Sequence, residues 1–526
     1  MGTSRHAPAL LGIVAMLITL VWIGEFVTDD AMISLRYARN LIDGHGLVWN
    51  VGEAPLEGFS NLSHVLLGAL ALGLGVPPLA GLQVLNIISL FALVALCYAV
   101  TLRATESRWL SSFAAVLCGM HAPLAYWGTS GLETASYSLC ALAFMASIVY
   151  CPKRTGLVVG AYALALLTRP EAPALLIVAA GVTLGLRVLG RTPRVSKEHW
   201  RWIILCASIT ALYFLWRYAY FGHWMPNSAY YKSLIRGKPV LIQQFARQEF
   251  WLLFALILVP WWKMRPLPLL LLGLLCAYVV GFWGVKPSVA RFHRFLLPVH
   301  APMCILAALG LHYWCVERMW PRARLARAAG WCVAIGLASS QLFEPKTSAK
   351  RLRRDRIAMA SRTLVRAAVA RTLGAHAGAG ERVAIGDSGL VAYFTHMTLV
   401  DAFGLNNARF IHVHRGNRKA YVKEIMSTEP EWLVITSRSA SELVPVYGTG
   451  RWMLSPKNFE ATYERIAVAR SRRQSYHYWI YARRDLGVMP APPPGPPLDL
   501  SGWNALAVDR AAGKNWAGAT SQGDPS

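Results

Sequence analysis

Residues 10–40 read LLGIVAMLITLVWIGEFVTDDAMISLRYARN, and the division of this stretch decides the fold. Leu10 to Ile23 carries no charge, and a helix rising ~1.5 Å per residue needs ~20 mainly apolar residues to cross a ~30 Å hydrocarbon layer. The run from near Leu10 is of the roughly 15 to 22 residues that such spans take here, and it ends where it meets Glu25, Asp29 and Asp30. The first element is therefore a membrane span that delivers a carboxylate pair to an interface. It ends in Trp22-Ile23-Gly24-Glu25-Phe26, without an A-x-A-like cleavage site, and is read as an uncleaved anchor.

Comparable apolar runs start near Leu79, Trp109, Ala135, Thr155, Ala172, Trp202, Phe250, Leu267, Phe295 and Gly330, so about eleven spans are expected. A chain of 526 residues that is 55% hydrophobic and only 15% charged has this composition, and an ordinary soluble enzyme does not. Short basic connections at Arg5, Arg103, Arg108, Lys153, Arg154, Arg187–Arg201, Lys263, Arg265 and Arg318–Arg327 alternate with connections holding Asp29, Asp30, Glu53, Glu57, Glu133 and Glu171. Lys and Arg near span ends face the cytoplasm, which sets a cytoplasmic N-terminus and an outward acidic face. The same rule accounts for the net +26 without a nucleic-acid partner. All nine cysteines fall between Cys97 and Cys332, in spans or at their inner ends, so no disulfide framework or CxxC metal site is expected outside.

The apolar pattern stops near Phe343. The fold class expected is thus an α-helical polytopic protein of the plasma membrane over residues 1–343, its first external loop at 25–78. A small extracytoplasmic α/β domain follows at 344–488, and a proline-rich, disordered tail at 489–526. An Arg-rich amphipathic stretch is expected from Lys350 to His376, and strands at Arg382, Thr398–Asp401, Trp432–Thr436 and Tyr476–Tyr481. From Pro345 onward 26 basic residues oppose 14 acidic ones, which suits anionic lipid or an acidic acceptor.

Asp29 and Asp30 are followed by Arg36, Tyr37, Arg39 and Asn40 at the spacing of a short interfacial helix. A carboxylate at a lipid boundary, beside a second acid, can have its pKa moved toward working pH and serve as general base to a hydroxyl. The long polar loop continues through Gly44-His45-Gly46-Leu47-Val48-Trp49-Asn50 and Glu57-Gly58-Phe59-Ser60-Asn61. Four further outward turns are polar: Ser130 to Thr134 with Glu133, Thr168-Arg169-Pro170-Glu171, Pro226 to Lys232 with Asn227 and Tyr231, and Arg291-Phe292-His293-Arg294. Arg169, Lys232, Arg291 and Arg294 suit a phosphate that gains charge as it leaves. Arg217, inside a span between Trp216 and Tyr218, is an intramembrane ionisable group and a functional candidate, with snorkelling as its equal alternative. His45 and His293 are potential ligands of a divalent metal, although no HExxH-type spacing occurs. Gly386-Asp387-Ser388-Gly389 reads as a turn before a helix, with Asp387 as a cap or turn residue.

The run Thr28-Asp29-Asp30-Ala31 to Asn40, with His45 to Asn50 and Glu57 to Asn61, resembles the actinobacterial terminal arabinofuranosyltransferases and their bacterial relatives. That family belongs to the GT-C class of integral-membrane glycosyltransferases. The resemblance extends through Ser130–Thr134, Thr168–Glu171, Pro226–Lys232, Gly386-Asp387 and Asp401. It implies an inverting transfer of a sugar, arabinofuranose in the named family, from a polyprenyl-phosphate carrier to a cell-envelope glycan. It further implies Asp29 as the base and Asp30 as its partner in positioning or metal binding, with basic residues on the carrier phosphate; donor-phosphate and substrate contacts are expected from Arg36, Arg39, Asn40, Glu57, Asn61, Glu133, Arg169, Glu171, Asn227, Tyr231, Lys232, Arg291, His293 and Arg294. Met32, Ala172 and Ser228-Ala229 depart from the family pattern, and the reaction type carries over more safely than the sugar. The alternative of a transporter or flippase for a lipid-linked sugar uses similar buried charges, but a long acidic loop and an external domain suit surface chemistry better.

Overall fold

The computed structural model describes residues 7–191, 196–233, 238–263, 265–287, 290–314, 349–407, 417–456, 459–471 and 475–488. The span expected near Gly330, the basic connection Arg318–Arg327 and the proline-rich tail lie outside these. The chain divides into two units, Met1–Glu25 with Gln83–Trp224 and Lys232–Arg354, and Phe26–Leu82 with Met225–Tyr231 and Asp355–Ser526.

The first unit is helical. Among the described residues, Pro78–Thr105, Lys197–Phe221 and Arg291–His312 are long and apolar enough to cross a membrane. Shorter apolar helices include Leu10–Ile23, Thr134–Tyr150, Thr155–Thr168, Pro173–Val188 and Pro266–Gly281. Large aliphatic side chains such as Ile177, Val188, Ile204 and Leu212 stand exposed on their outer faces, as a lipid solvent requires. Small residues allow close helix contact: a Cβ on Gly119 would collide with the Gly12 carbonyl, and one on Gly12 with Ala115. Thr19 Oγ1 donates to the Gly119 carbonyl across the same contact at 3.0 Å.

Two expected spans are interrupted. The run from Trp109 forms Arg108–Gly119 and then Ala122–Gly128, with Pro123 in the first turn of the second helix and His121 as its N-cap. The run from Phe250 is no continuous helix but Phe250–Ala255 followed by 3₁₀ turns at Leu256–Leu258 and Trp261–Lys263. Pro260 lacks the N–H and clashes with the turn before it.

The second unit combines the first loop with the C-terminal residues. Helix Asp29–Ile42 packs against helix Leu62–Gly73 and against the short helix Gly389–Phe394. Helix Leu62–Gly73 was expected as loop, since its twelve residues fall below the length of a span. Helix Ala349–His376 leads into a mixed sheet with strands β1 (Arg382–Ile385), β2 (Thr398–Asp401), β3 (Trp432–Ser437), β4 (Tyr463–Ala469) and β5 (His477–Arg483). The five strands lie in the order β2-β1-β3-β5-β4. β1 is parallel to β2 and β3, while β5 is antiparallel to β3 and β4. The parallel centre is buried, as the all-buried β3 requires, and Tyr421, Ile425, Leu433, Ile435 and Trp479 form the core on one face.

Candidate active site

Thr28 caps helix Asp29–Ile42, its Oγ1 accepting from the Ala31 N–H at 3.3 Å, which fixes Asp29 and Asp30 in the first turn. Asp29 is mostly buried and Asp30 exposed. The Asp29 carboxylate accepts the Gly389 N–H on Oδ2 and the Leu390 N–H on Oδ1, both at 2.9 Å. Gly389 is needed here, because a Cβ would collide with the Asp29 main-chain oxygen. Arg366 Nε lies 3.7 Å from Asp29 Oδ1, and its Nη2 lies 3.4 Å from Asp387 Oδ2. Asp387 also accepts from Tyr478 Oη at 2.7 Å and from the Tyr476 hydroxyl.

These partners separate the two carboxylates electrostatically. Burial raises the Asp29 pKa above the ordinary 3.8, Arg366 opposes this, and the nearby Asp387 charge adds to it. Asp387 is also penalised by burial, but Arg366 and the two tyrosine hydroxyls outweigh that and hold it below 3.8. A carboxylate with a raised pKa, both oxygens oriented by main-chain donors, is what proton abstraction from a hydroxyl requires.

The other predicted residues of this unit serve as its frame. Arg36 gives all five donors to protein acceptors: Trp49 O, Ala392 O, Thr395 O, Met397 O and Asn50 Oδ1. Arg39 donates to Tyr393 O at 2.9 Å and lies over its ring, and Asn40 donates to Val48 O at 2.8 Å. Asn61 accepts from Ser34 Oγ at 2.8 Å. The Glu57 main-chain carbonyl accepts from the Asn227 N–H at 2.8 Å, and Asn227 Nδ2 reaches the carbonyls of Gly404 and Leu405. Asp401 closes the adjacent turn, accepting from Phe403 N, Asn406 N and Asn406 Nδ2, and burial raises its pKa to about 6. Tyr231 and Lys232 have side chains outside the described set.

A second group gathers in the membrane unit. Fully buried Glu133 accepts from Arg169 Nη1 at 2.5 Å and from Arg294 Nη2 at 3.3 Å, while Arg169 Nε pairs with Glu171. Arg294 lies over Trp127 at 5.2 Å and Arg169 over Phe295 at 5.0 Å. Phe292 and His293 take left-handed φ values of 49° and 57°, strain that non-glycine residues hold mainly at functional sites. Arg291 is half-buried and its carbonyl accepts from Trp127 Nε1 at 3.1 Å. Arg217 is buried beside the rings of Tyr213 and Phe214.

Sequence reasoning named Asp29 but not its partner Arg366, nor Tyr476 and Tyr478, which hold the neighbouring Asp387. The signal available was the Gly386–Gly389 turn after a strand, which alone specifies no contact. His45 is exposed and His293 buried, and neither joins a potential metal-binding group among the described residues.

Two crystal structures of ArnT from Cupriavidus metallidurans are similar to this chain. The apo form aligns with a TM-score of 0.54 at 12% identity, covering 91% of this chain and 98% of ArnT. The form bound to undecaprenyl phosphate aligns with a TM-score of 0.54 at 13% identity, covering 92% and 99%. The chain has an ArnT-like fold. With its long apolar helices, that fold makes it an integral membrane protein. Residues 354–481 match a family model described as a domain of unknown function, DUF8728. No curated protein sequence matches the chain.

Proposed function

We propose that this protein is an inverting glycosyltransferase that moves a sugar from a polyprenyl-phosphate carrier to a cell-envelope glycan on the outer face of the plasma membrane. ArnT, whose fold it shares, has been solved with undecaprenyl phosphate bound, and the first-loop motif resembles GT-C glycosyltransferases that use polyprenyl-phosphate sugars. The observation that carries the reading is the Asp29 carboxylate, oriented by two main-chain N–H groups with a pKa raised by burial.

In this reading Asp29 removes the proton from an acceptor hydroxyl as its oxygen attacks the anomeric carbon. The bond from that carbon to the phosphate oxygen breaks, its electron pair leaves with the polyprenyl phosphate, and the configuration inverts. Asp30, in the same helical turn and exposed, positions the acceptor. Glu133 orients Arg169 and Arg294, which with Arg291 and Lys232 neutralise the leaving phosphate by their positive charge. The motif resemblance favours arabinofuranose as the sugar. A catalytic part at 1–343 with about eleven spans, an outward α/β domain at 344–488 and a tail at 489–526 complete the proposal.

The test incubates detergent-purified protein with several labelled polyprenyl-phosphate sugars and a cell-envelope glycan extract. Label in glycan together with free polyprenyl phosphate, lost in Asp29→Asn, is the expected result. Donor binding without transfer from any donor would overturn the reading in favour of carrier transport.

A further inference from the structure

The membrane unit holds three buried ionisable side chains that the proposed transfer does not use. His121 sits at the break between helices Arg108–Gly119 and Ala122–Gly128, Glu249 caps the end of helix Val240–Gln248, and His300 begins helix His300–His312. Their side chains are 1%, 2% and 0% exposed.

His121 Nε2 lies 3.0 Å from Glu249 Oε1, and His300 Nδ1 lies 3.5 Å from Glu249 Oε2. Ligand atoms of all three fall within 4.8 Å of one another. Glu249 Oε2, His300 Nδ1 and His121 Nδ1 have no hydrogen-bond partner among the described residues. Glu249 Oε2 and His300 Nδ1 face each other only at the 3.5 Å of an ion pair, and a buried polar atom left without a hydrogen bond costs ~1–3 kcal/mol, so the cluster gains from a further partner. One proton on His300 pairs it with Glu249 but leaves His121 Nδ1 without a partner, and a second would set two imidazolium charges against each other across a stack with centroids 3.6 Å apart.

A divalent cation removes the difficulty, since two neutral imidazoles and one carboxylate then bind it together. We propose that His121, Glu249 and His300 form a site for a divalent transition-metal ion, with zinc as the chemical match. Two nitrogen ligands and one carboxylate oxygen leave a fourth position open, the pattern of three-ligand zinc sites. Tetrahedral bonds of ~2.0–2.1 Å separate ligand atoms by roughly 3.4 Å. The Glu249 to His300 distance of 3.5 Å already matches this. The second nitrogen of His300 is engaged by Cys304 Sγ at 3.5 Å, the kind of outer partner that orients a ligating imidazole. A lone pair lies in its ring plane, so shared coordination turns one imidazole out of the stack. The inference does not depend on the transfer reading.

The test uses the full chain in detergent, stripped with a strong chelator, reloaded with zinc and passed through a weak chelator before elemental analysis. Wild type is expected to retain about one zinc per chain, and Glu249→Gln and His300→Gln at least ~10-fold less, with His45→Ala unchanged. X-ray absorption on wild type alone, which does not depend on variant folding, should give a nitrogen/oxygen shell near ~2.0–2.1 Å with imidazole scattering. Wild type no better loaded than Glu249→Gln, metal that follows His45, or a sulfur-dominated shell would overturn the site.

Discussion

Replacing Asp29 by Asn keeps the side chain's shape and removes half of what the Gly389 turn needs from it. In the wild type each carboxylate oxygen accepts one main-chain N–H at 2.9 Å. Asn has one acceptor oxygen, and its NH₂ group would face the second N–H donor to donor. A hydrogen bond to a charged group is worth ~1.5–3 kcal/mol, and the stranded N–H costs ~1–3 kcal/mol more. Relief of the repulsion between Asp29 and Asp387 returns part of this. The net expectation is a local loss of about 2–4 kcal/mol, or roughly 30- to 700-fold in the opening equilibrium of the turn at ~1.4 kcal/mol per decade. Hydrogen exchange by mass spectrometry on peptides covering residues 386–395 reads it directly. The Asn variant should exchange faster there, while Asp30→Asn, whose side chain is exposed, should match wild type to within about 0.5 kcal/mol. Wild-type exchange in Asp29→Asn would refute the clamp. A base role adds a further ~10²–10⁴-fold loss of transfer. Gly389→Ala, which disturbs the clamp from its other side, should therefore leave the better enzyme of the two.

The rate of transfer should fall on acidification at a pH above 3.8, because the base must be ionised and burial raises its pKa. Asp387→Asn removes a charge that raises that pKa and should move the acid limb down, whereas Arg366→Met should move it up; equal shifts from both would contradict the network. Glu133→Gln leaves Arg169 and Arg294 without their shared buried anion, and a loss of about 3–5 kcal/mol in thermal stability is expected, with Arg169→Met/Glu133→Gln less harmful than the sum. Arg36→Lys keeps the charge but offers three donors to five acceptors, and unfolding in detergent should register a cost of about 1–3 kcal/mol.

The sequence made the local elements legible where one period or one turn decides them. Thr28-Asp29-Asp30 marks a helix start by composition alone, and Trp432 to Thr436 is too apolar and β-branched for anything but a buried strand. β4 escaped because Tyr463-Glu464-Arg465-Ile466 has no clean alternation, and a register shift lies between Arg465 and Ala467 at the sheet edge. Helix Leu62–Gly73 escaped because a length criterion built for spans discards it. Arg36 read as a substrate contact from its place beside the acidic pair. Its five acceptors are mostly carbonyls roughly 360 positions away in the chain, contacts that no local pattern encodes.

Those long-range contacts bear on how the domain of unknown function is to be understood. Its matched residues, 354–481, supply Arg366, Asp387, Gly389, Tyr476 and Tyr478 but contain neither Asp29 nor Arg36. The main-chain carbonyls of Ala392, Thr395 and Met397 are satisfied by Arg36, and the Gly389 and Leu390 amides by Asp29. Separated from residues 26–82, the domain would leave this row of donors and acceptors to find other partners, each at the cost of a buried group left unmade. The first loop has the matching deficit, with a buried guanidinium and a carboxylate whose neighbours come from the far end of the chain. The physical unit is therefore the loop and the domain together. Within it the domain sets the orientation of the acidic pair, and the titration of Asp29 depends on residues that only the domain provides.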